Sequence, residues 1–294
     1  MIEDVFRSEL MTLVRLALRE DLGHGDVTTA LTVGRDDLGA AAVVARRDLV
    51  LSGLDLALAA FREAGPELEL SPGHDDGDRV PPGGVILTVR GRSAAILTAE
   101  RVALNFLGRL SGVATLTDKF VALANEGARK AGVAPPRILD TRKTTPGLRF
   151  WEKRAVVHGG GANHRFCLSD GILVKDNHIR AAGSLAEALR RARDNGPHNL
   201  KIEVEVDDLG QLAQALEFRP DTVLLDNMDP PTLRRAMGLI RDFHAPGPRL
   251  TKAEASGGVS LATVSEVAAS GVDYVSAGAL THSAPSADVG LDWL

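Results

Sequence analysis

Lys201–Asn227 reads KIEVEVDDLGQLAQALEFRPDTVLLDN. Its first six residues alternate, with Glu203 and Glu205 on one face of a strand and Val204 and Val206 on the other. Asp208–Glu217 follows with helical spacing, and Thr222–Asp226 reads as a second strand. A strand, a helix and a strand in direct succession predict parallel pairing.

The same alternation extends outward in both directions. Strands are predicted at Arg137–Asp140, Ile172–Lys175, Leu250–Ala255 and Asp273–Ala277, with helices at Leu185–Asn195, Pro231–Phe243 and Leu261–Ser270. Six strands in about 140 residues predict an α/β fold, an incomplete TIM-like barrel. Before the Gly132–Pro136 break the pattern differs. Val5, Phe6, Leu10, Leu13, Val14 and Ala17 give residues 3–20 a helical stripe, and a Gly/Asp/Thr loop spans Asp21–Thr29. Apolar runs at Ala40–Ala45 and Val85–Val89 flank a helical pattern at Leu54–Ala64, and two long helices are predicted at Ser93–Leu110 and Val113–Lys130. The predicted organisation is a smaller N-terminal α+β domain over 1–115 and a barrel over 116–279. The tail, 280–294, is expected to pack with the first domain.

Composition sets the outer bounds. The chain has 294 residues, 44% hydrophobic and 25% charged, which excludes disordered and fibrous classes. No apolar run approaches the roughly 18–20 residues that span a bilayer. Met1–Glu20 is charged throughout and lacks a signal-peptide core, so a soluble, cytoplasmic protein is expected. The single cysteine, Cys167, excludes a disulfide framework and a multi-cysteine zinc site. Between Phe166 and Leu168 it reads as a buried, inert thiol. A net charge of −5 argues against nucleic-acid binding. That charge is uneven: Arg137–Arg180 holds nine Lys/Arg against four Asp/Glu. A basic segment in an acidic protein suits small anionic ligands.

Polar residues end all six predicted strands, at the edge where α/β barrels place their active sites. They include Asp140-Thr141-Arg142-Lys143, Lys175-Asp176-Asn177, Glu205, Asp226-Asn227, Ser256-Gly257-Gly258 and Gly278-Ala279. Arginine forks bind carboxylates and phosphates, and lysine adds a point charge. Carboxylates beside such cations suit Mg²⁺ held through waters and substrate phosphates, and the same spacing fits a general acid/base pair. Gly-rich turns after the last strands supply amides for phosphate. Lys252 reads as an outward-facing residue, with a phosphate contact as the alternative. The chain has no Walker A, His-Glu-x-x-His or complete Gly-x-Gly-x-x-Gly pattern. His158-Gly159-Gly160-Gly161 lacks the Gly-x-Ser-x-Gly of a hydrolase.

The runs GHGDVTT (23–29), DTRKTTPGLR (140–149), HGGGANHR (158–165), LVKDNH (173–178), EVEV (203–206), LLDN (224–227), EASGGV (254–259) and SAGALTHSAPSADVGLD (276–292) resemble the quinolinate phosphoribosyltransferases. The resemblance covers nearly the whole chain and is weakest between about 30 and 90. It implies phosphoribosyl transfer from 5-phosphoribosyl 1-diphosphate (PRPP) to quinolinate with decarboxylation, a step of NAD biosynthesis dependent on Mg²⁺. It further implies that Thr141, Arg142, His164, Arg165 and Lys175 bind substrate, that Lys143 lies near the ribosyl diphosphate, and that Glu205 and Asp226 face Mg²⁺ and the ribose. Ser256, Gly257, Gly258, Ala277, Gly278 and Ala279 are implied around the 5′-phosphate. Arg101 is implied to enter the neighbouring subunit's site in a homodimer. Rival readings are a phosphoribosyltransferase for nicotinate or another aromatic acid, a Schiff-base aldolase using Lys143 or Lys175, and a non-catalytic PRPP sensor.

Overall fold

The computed structural model describes residues 2–294, with side chains from Ser8 onward. In chain order its elements are α1 (Ile2–Leu22), α2 (Val27–Thr32), β1 (Leu38–Ala45), β2 (Leu49–Val50), α3 (Leu54–Ala64), β3 (Glu69–Pro72), β4 (Arg79–Val80), β5 (Val85–Arg92) and α4 (Ser93–Ala131). After α4 come β6 (Arg137–Leu139), α5 (Arg149–His158), β7 (Ile172–Val174), α6 (Asp176–Ala182), α7 (Leu185–Asn195), β8 (Ile202–Val206), α8 (Leu209–Glu217) and β9 (Thr222–Asp226). The chain ends with α9 (Pro230–His244), β10 (Lys252–Ser256), α10 (Val264–Ala268), β11 (Tyr274–Ser276), α11 (Ala279–His282) and β12 (Val289–Trp293). No helix among the described residues is long and apolar enough to cross a membrane.

Two units emerge. One comprises 1–116, 157–159 and 284–294, the other 117–156 and 160–283. The first is built on a four-stranded antiparallel sheet in the order β12-β1-β5-β3, so the C-terminal tail is an edge strand. Leu10, Val14 and Leu18 form the buried stripe of α1, which packs with α3. The Asp21–Thr29 stretch is not all loop. Asp26 accepts the Thr29 amide at 3.0 Å and starts α2.

The two long helices predicted before Gly132 are one, α4, of 39 residues. The Ser111-Gly112 pair that separates the two predicted helices serves packing. A Cβ on Gly112 would lie 2.1 Å from the Pro285 carbonyl, and Ser111 Oγ accepts the Ser52 amide at 3.0 Å. Glycine here admits a neighbouring backbone without leaving the helix.

The second unit carries a six-stranded, all-parallel sheet in the order β6-β11-β10-β9-β8-β7. Its six strands are those predicted, each within a few residues. Parallel strands bury both faces and normally read as continuous apolar runs. In β8, Val204 and Val206 are fully buried, as are Leu212 and Leu216 of α8, which packs on the same strand. Each such side chain contributes about 1.5–3 kcal/mol. The alternate positions, Glu203 and Glu205, break the apolar run, which marks that face as one with other work. Lys252 opens β10, at the end of the sheet away from the C-terminal strand ends, and pairs with Asp273 Oδ1 at 3.0 Å. Cys167 is half-buried rather than buried, because it lies in the loop between α5 and β7 with Sγ 3.0 Å from Asp170 Oδ1.

Candidate active site

The C-terminal ends of the parallel strands enclose a cavity of about 590 Å³ in the second unit. Register explains the convergence: Asp226 of β9 lies opposite Ser256 of β10, and Glu205 of β8 opposite Leu224. Thr141, Arg142, Lys143, His164, Arg165, Lys175, Glu205, Asp226, Ser256, Gly257 and Gly258 all line it.

A buried scaffold sets the cationic wall. Asp140, at the end of β6, is fully buried against Lys153 of α5. Asp140 also accepts Asn163 Nδ2 at 2.6 Å and the His164 amide at 2.9 Å. Lys153 Nζ donates to the His164 carbonyl at 3.0 Å. One ion pair thus fixes both the strand end that leads to Arg142 and the loop that carries His164 and Arg165. Burial pushes Asp140 up and Lys153 down, which the pairing only partly offsets. Further out, Arg149 donates to Thr144 Oγ1 at 3.0 Å and to the Arg142 carbonyl at 3.3 Å, and Thr281 Oγ1 donates to the Lys143 carbonyl at 2.7 Å.

Arg165 donates to the Gly171 carbonyl at 2.9 Å. Its pKa is lowered, first by burial and then by the like charge of Arg142. Like charges that feel one another across a cavity favour an anion between them. Lys175 lies 2.6 Å from Glu205 Oε2, which separates the two acids of β8. Glu205 faces the lysine and the cavity, whereas Glu203 Oε2 lies 3.2 Å from His164 Nε2. His164 Nδ1 accepts the Arg165 amide at 2.8 Å, so both ring nitrogens are engaged within the protein. Burial lowers the His164 pKa, but the Glu203 hydrogen bond and the charges of Glu254 and Glu203 outweigh it and leave it raised.

The opposite wall is made of tight turns. Asn227 has φ 52° and donates its amide to the Ser256 carbonyl at 2.8 Å, and its Nδ2 to Asp226 Oδ2 at 2.6 Å. Gly257, at φ +88°, faces it: a Cβ there would lie 2.3 Å from Asn227 Oδ1. Ala277, Gly278 and Ala279 follow β11 but do not line the cavity, although Gly278 packs against the Lys143 side chain. Arg101 is on α4 in the other unit, beside a separate cavity of about 310 Å³ shared with Asn105, Ser286 and Asp288.

Four lining residues escaped the sequence reading of the site: Leu173, Leu224, Glu254 and Ser276. Each lies in one of the quoted runs, but only Glu254 and Ser276 carry a polarity that could have singled them out. Glu254 is 2% exposed, and its Oε1 has no hydrogen-bond partner.

Comparison with known proteins gives a consistent outcome. Residues 26–111 match the model of the quinolinate phosphoribosyl transferase N-terminal domain, and residues 113–292 that of the C-terminal domain. The chain is 42% identical over 282 residues to a nicotinate-nucleotide pyrophosphorylase [carboxylating] of Mycobacterium leprae, covering 95% of each protein. It is 39% identical over 284 residues to a probable nicotinate-nucleotide pyrophosphorylase [carboxylating] of Bacillus subtilis, covering 97% of this chain and 93% of that one. The solved nicotinate-nucleotide pyrophosphorylase of Francisella tularensis superposes with a TM-score of 0.88 at 35% identity, over 98% of this chain and 96% of that one. With both domain models matched in order and a cavity at the ends of the parallel strands, the chain belongs to the quinolinate phosphoribosyltransferase family.

Proposed function

We propose that this protein transfers the phosphoribosyl group of PRPP to quinolinate, releasing diphosphate and CO₂ and forming nicotinate mononucleotide. One observation carries the reading: Arg142, Arg165 and Lys175 converge with Lys143 on a cavity whose other walls are Glu205, Asp226 and a glycine turn. Three cations suit an acceptor with two carboxylates, and a mono-acid would leave a desolvated charge unpaired.

In this reading Arg142, Arg165 and Lys175 hold the quinolinate carboxylates. His164 works through the corner it braces, since its ring nitrogens already have partners. The pyridine nitrogen brings its own lone pair, so the task is to align two anions and to stabilise charge as the ribosyl centre becomes cationic. Glu205 and Asp226 supply negative charge beside that centre. Lys143 draws on the departing diphosphate, and amides of the 256–258 turn receive the 5′-phosphate. Glu205 and Asp226 are hard oxygen donors, and they are the residues that would hold Mg²⁺ through water or substrate oxygens. Held there, Mg²⁺ would supply positive charge to neutralise the diphosphate.

The protein acts as a homodimer in this reading, with Arg101 reaching the partner's site, in the cytoplasm, where a lone thiol such as Cys167 stays reduced. Mixing inactive R101A with inactive K143A tests the sharing: hybrid dimers regain part of the activity, and no recovery despite subunit exchange refutes it. The reaction itself is tested by ¹⁴CO₂ release from carboxyl-labelled quinolinate with PRPP and Mg²⁺. Release that needs both, with equal formation of nicotinate mononucleotide, is expected. Turnover of nicotinate instead would move the assignment to a non-decarboxylating transferase, and PRPP binding without turnover to a sensor.

A further inference from the structure

Replacing a carboxylate by hydrogen on an aromatic ring requires a proton, and none of the roles above supplies it. Glu254 lines the cavity from β10 and is 2% exposed, whereas Arg142 and Lys143 on the same cavity are exposed. It is thus an acid at the inner end of the pocket, away from bulk water. Around it stand Glu203 of β8, His164 of the α5–β7 loop, whose Nε2 is 3.7 Å from Glu254 Oε1, and Ser276 of β11. Tyr274 of β11 is its register partner, and Lys153 and Arg165 act on His164 and Glu203 from behind. Ser276 Oγ donates in turn to Ser256 Oγ at 3.0 Å, on the glycine turn.

His164, Glu203 and Glu254 could equally serve as a metal donor set, since their ligand atoms lie within 4.8 Å of one another. The tautomer decides against that. His164 Nδ1 accepts a backbone N–H, so the ring proton is on Nε2, directed at the two carboxylates. A metal would need that nitrogen's lone pair. A proton suits the group better, because Glu203 Oε1 and Glu254 Oε1 are both buried without partners, which two charged carboxylates side by side would not tolerate.

We propose that Glu254 is held protonated at the inner end of the cavity and donates its proton to C2 of the pyridine ring as CO₂ departs. This rests on the decarboxylating reaction proposed above. The bond from C2 to its carboxylate breaks, and the electron pair stays on C2 beside the cationic ring nitrogen. The Glu254 O–H bond breaks as C2–H forms, which leaves Glu254 as a carboxylate to be reprotonated by water when product leaves. Burial and the neighbouring Glu203 charge push the Glu254 carboxyl up to about 7, near the pH at which a general acid works best. The guanidiniums of Arg142 and Arg165 are too weakly acidic for this, and Lys175, between Glu205 and the substrate carboxylates, is taken up by charge pairing.

The test runs the full-length enzyme with quinolinate, PRPP and Mg²⁺ in 1:1 H₂O/D₂O and reads the H/D ratio at C2 of the nicotinate mononucleotide. E254Q is expected to keep the quinolinate KM within about threefold and to lower kcat at least tenfold. It should lose the alkaline fall in kcat centred near pH 7 and shift the C2 H/D ratio, because water replaces a carboxyl as donor. A purely structural role would not move that ratio. E254Q with the wild-type ratio and pH profile overturns the proposal. If E254Q does not fold, E254D must move the ratio in the same sense, and an unchanged ratio there overturns it too. Failure of the decarboxylating reading is distinct, because the wild-type enzyme would then form no nicotinate mononucleotide.

Discussion

Lys175 Nζ sits 2.6 Å from Glu205 Oε2, tying the end of β7 to the end of β8 on one wall of the cavity. The lysine side chain is 43% exposed and the glutamate 12%, so the pair adds little to stability and much to local charge balance. Removing the lysine does two things at once: it deletes a cation proposed for the substrate carboxylate and turns Glu205 into an unpaired anion facing the proposed dianion. K175A is therefore expected to lower kcat/KM for quinolinate by about 100-fold, with little change in melting temperature. K175R should fall between, because a planar fork replaces a point charge. Steady-state kinetics with each substrate varied would check this, and a K175A enzyme within threefold of wild type would refute it.

Deeper in, Asp140 and Lys153 should behave differently. Their side chains are 0% and 4% exposed, so deleting one leaves an uncompensated buried charge. K153M is expected to destabilise the protein by about 3–5 kcal/mol. The double variant K153M/D140L, which removes both charges, should be less harmful to stability than K153M alone. It should still be impaired in quinolinate binding, because the His164–Arg165 corner loses its brace. Urea unfolding of the three proteins measures the first effect and the quinolinate KM the second.

Glu254 makes stability depend on pH. Its folded pKa, about 7, lies above the value near 4.3 of an unfolded glutamate. The native state therefore holds a proton that the unfolded chain gives up, and stability falls as pH rises from about 5 through 7. E254Q should flatten the slope without abolishing it, and should melt about 2–4 °C above wild type at pH 8. Parallel melting curves across pH 5–8.5 would show that Glu254 is not the group responsible.

Much of this was legible in the sequence because the fold and the site share a period. The alternation put Glu203 and Glu205 on one face, and in a parallel sheet buried on both faces that face can only line an interior. The polar strand ends gave the cavity for the same reason. Three features were not legible. Helix α4 hid behind Ser111-Gly112, because close approach of Pro285 and a helix break both call for glycine. The division of labour between Glu203 and Glu205 depends on which cation each meets, Lys175 or the His164 ring, and both partners come from other elements. Glu254 read as part of a glycine-turn motif, and its isolation is a property of burial among β8, β11 and the α5–β7 loop, which no local pattern encodes.

The two glycines of the Ser256-Gly257-Gly258 turn offer a controlled contrast. Both have left-handed backbones, with φ +88° and +62°, so alanine strains either one. They differ in space. A Cβ on Gly257 would meet Asn227 Oδ1 at 2.3 Å and the Asn227 amide nitrogen at 2.9 Å, whereas on Gly258 the nearest atom lies 4.0 Å away. G258A should therefore cost only the backbone strain, about 1 kcal/mol, and leave the PRPP KM within a few-fold. G257A must also push Asn227 aside. Asn227 itself holds φ 52° and donates to Asp226 and to the Ser256 carbonyl, so the push reaches both the acid and the turn. G257A is expected to raise the PRPP KM at least tenfold while the wall proposed to face quinolinate, built on β6, α5 and β7, keeps its affinity. Equal effects of the two alanines on the PRPP KM would mean that backbone strain alone, and not the Asn227 contact, shapes the phosphate end of the cavity.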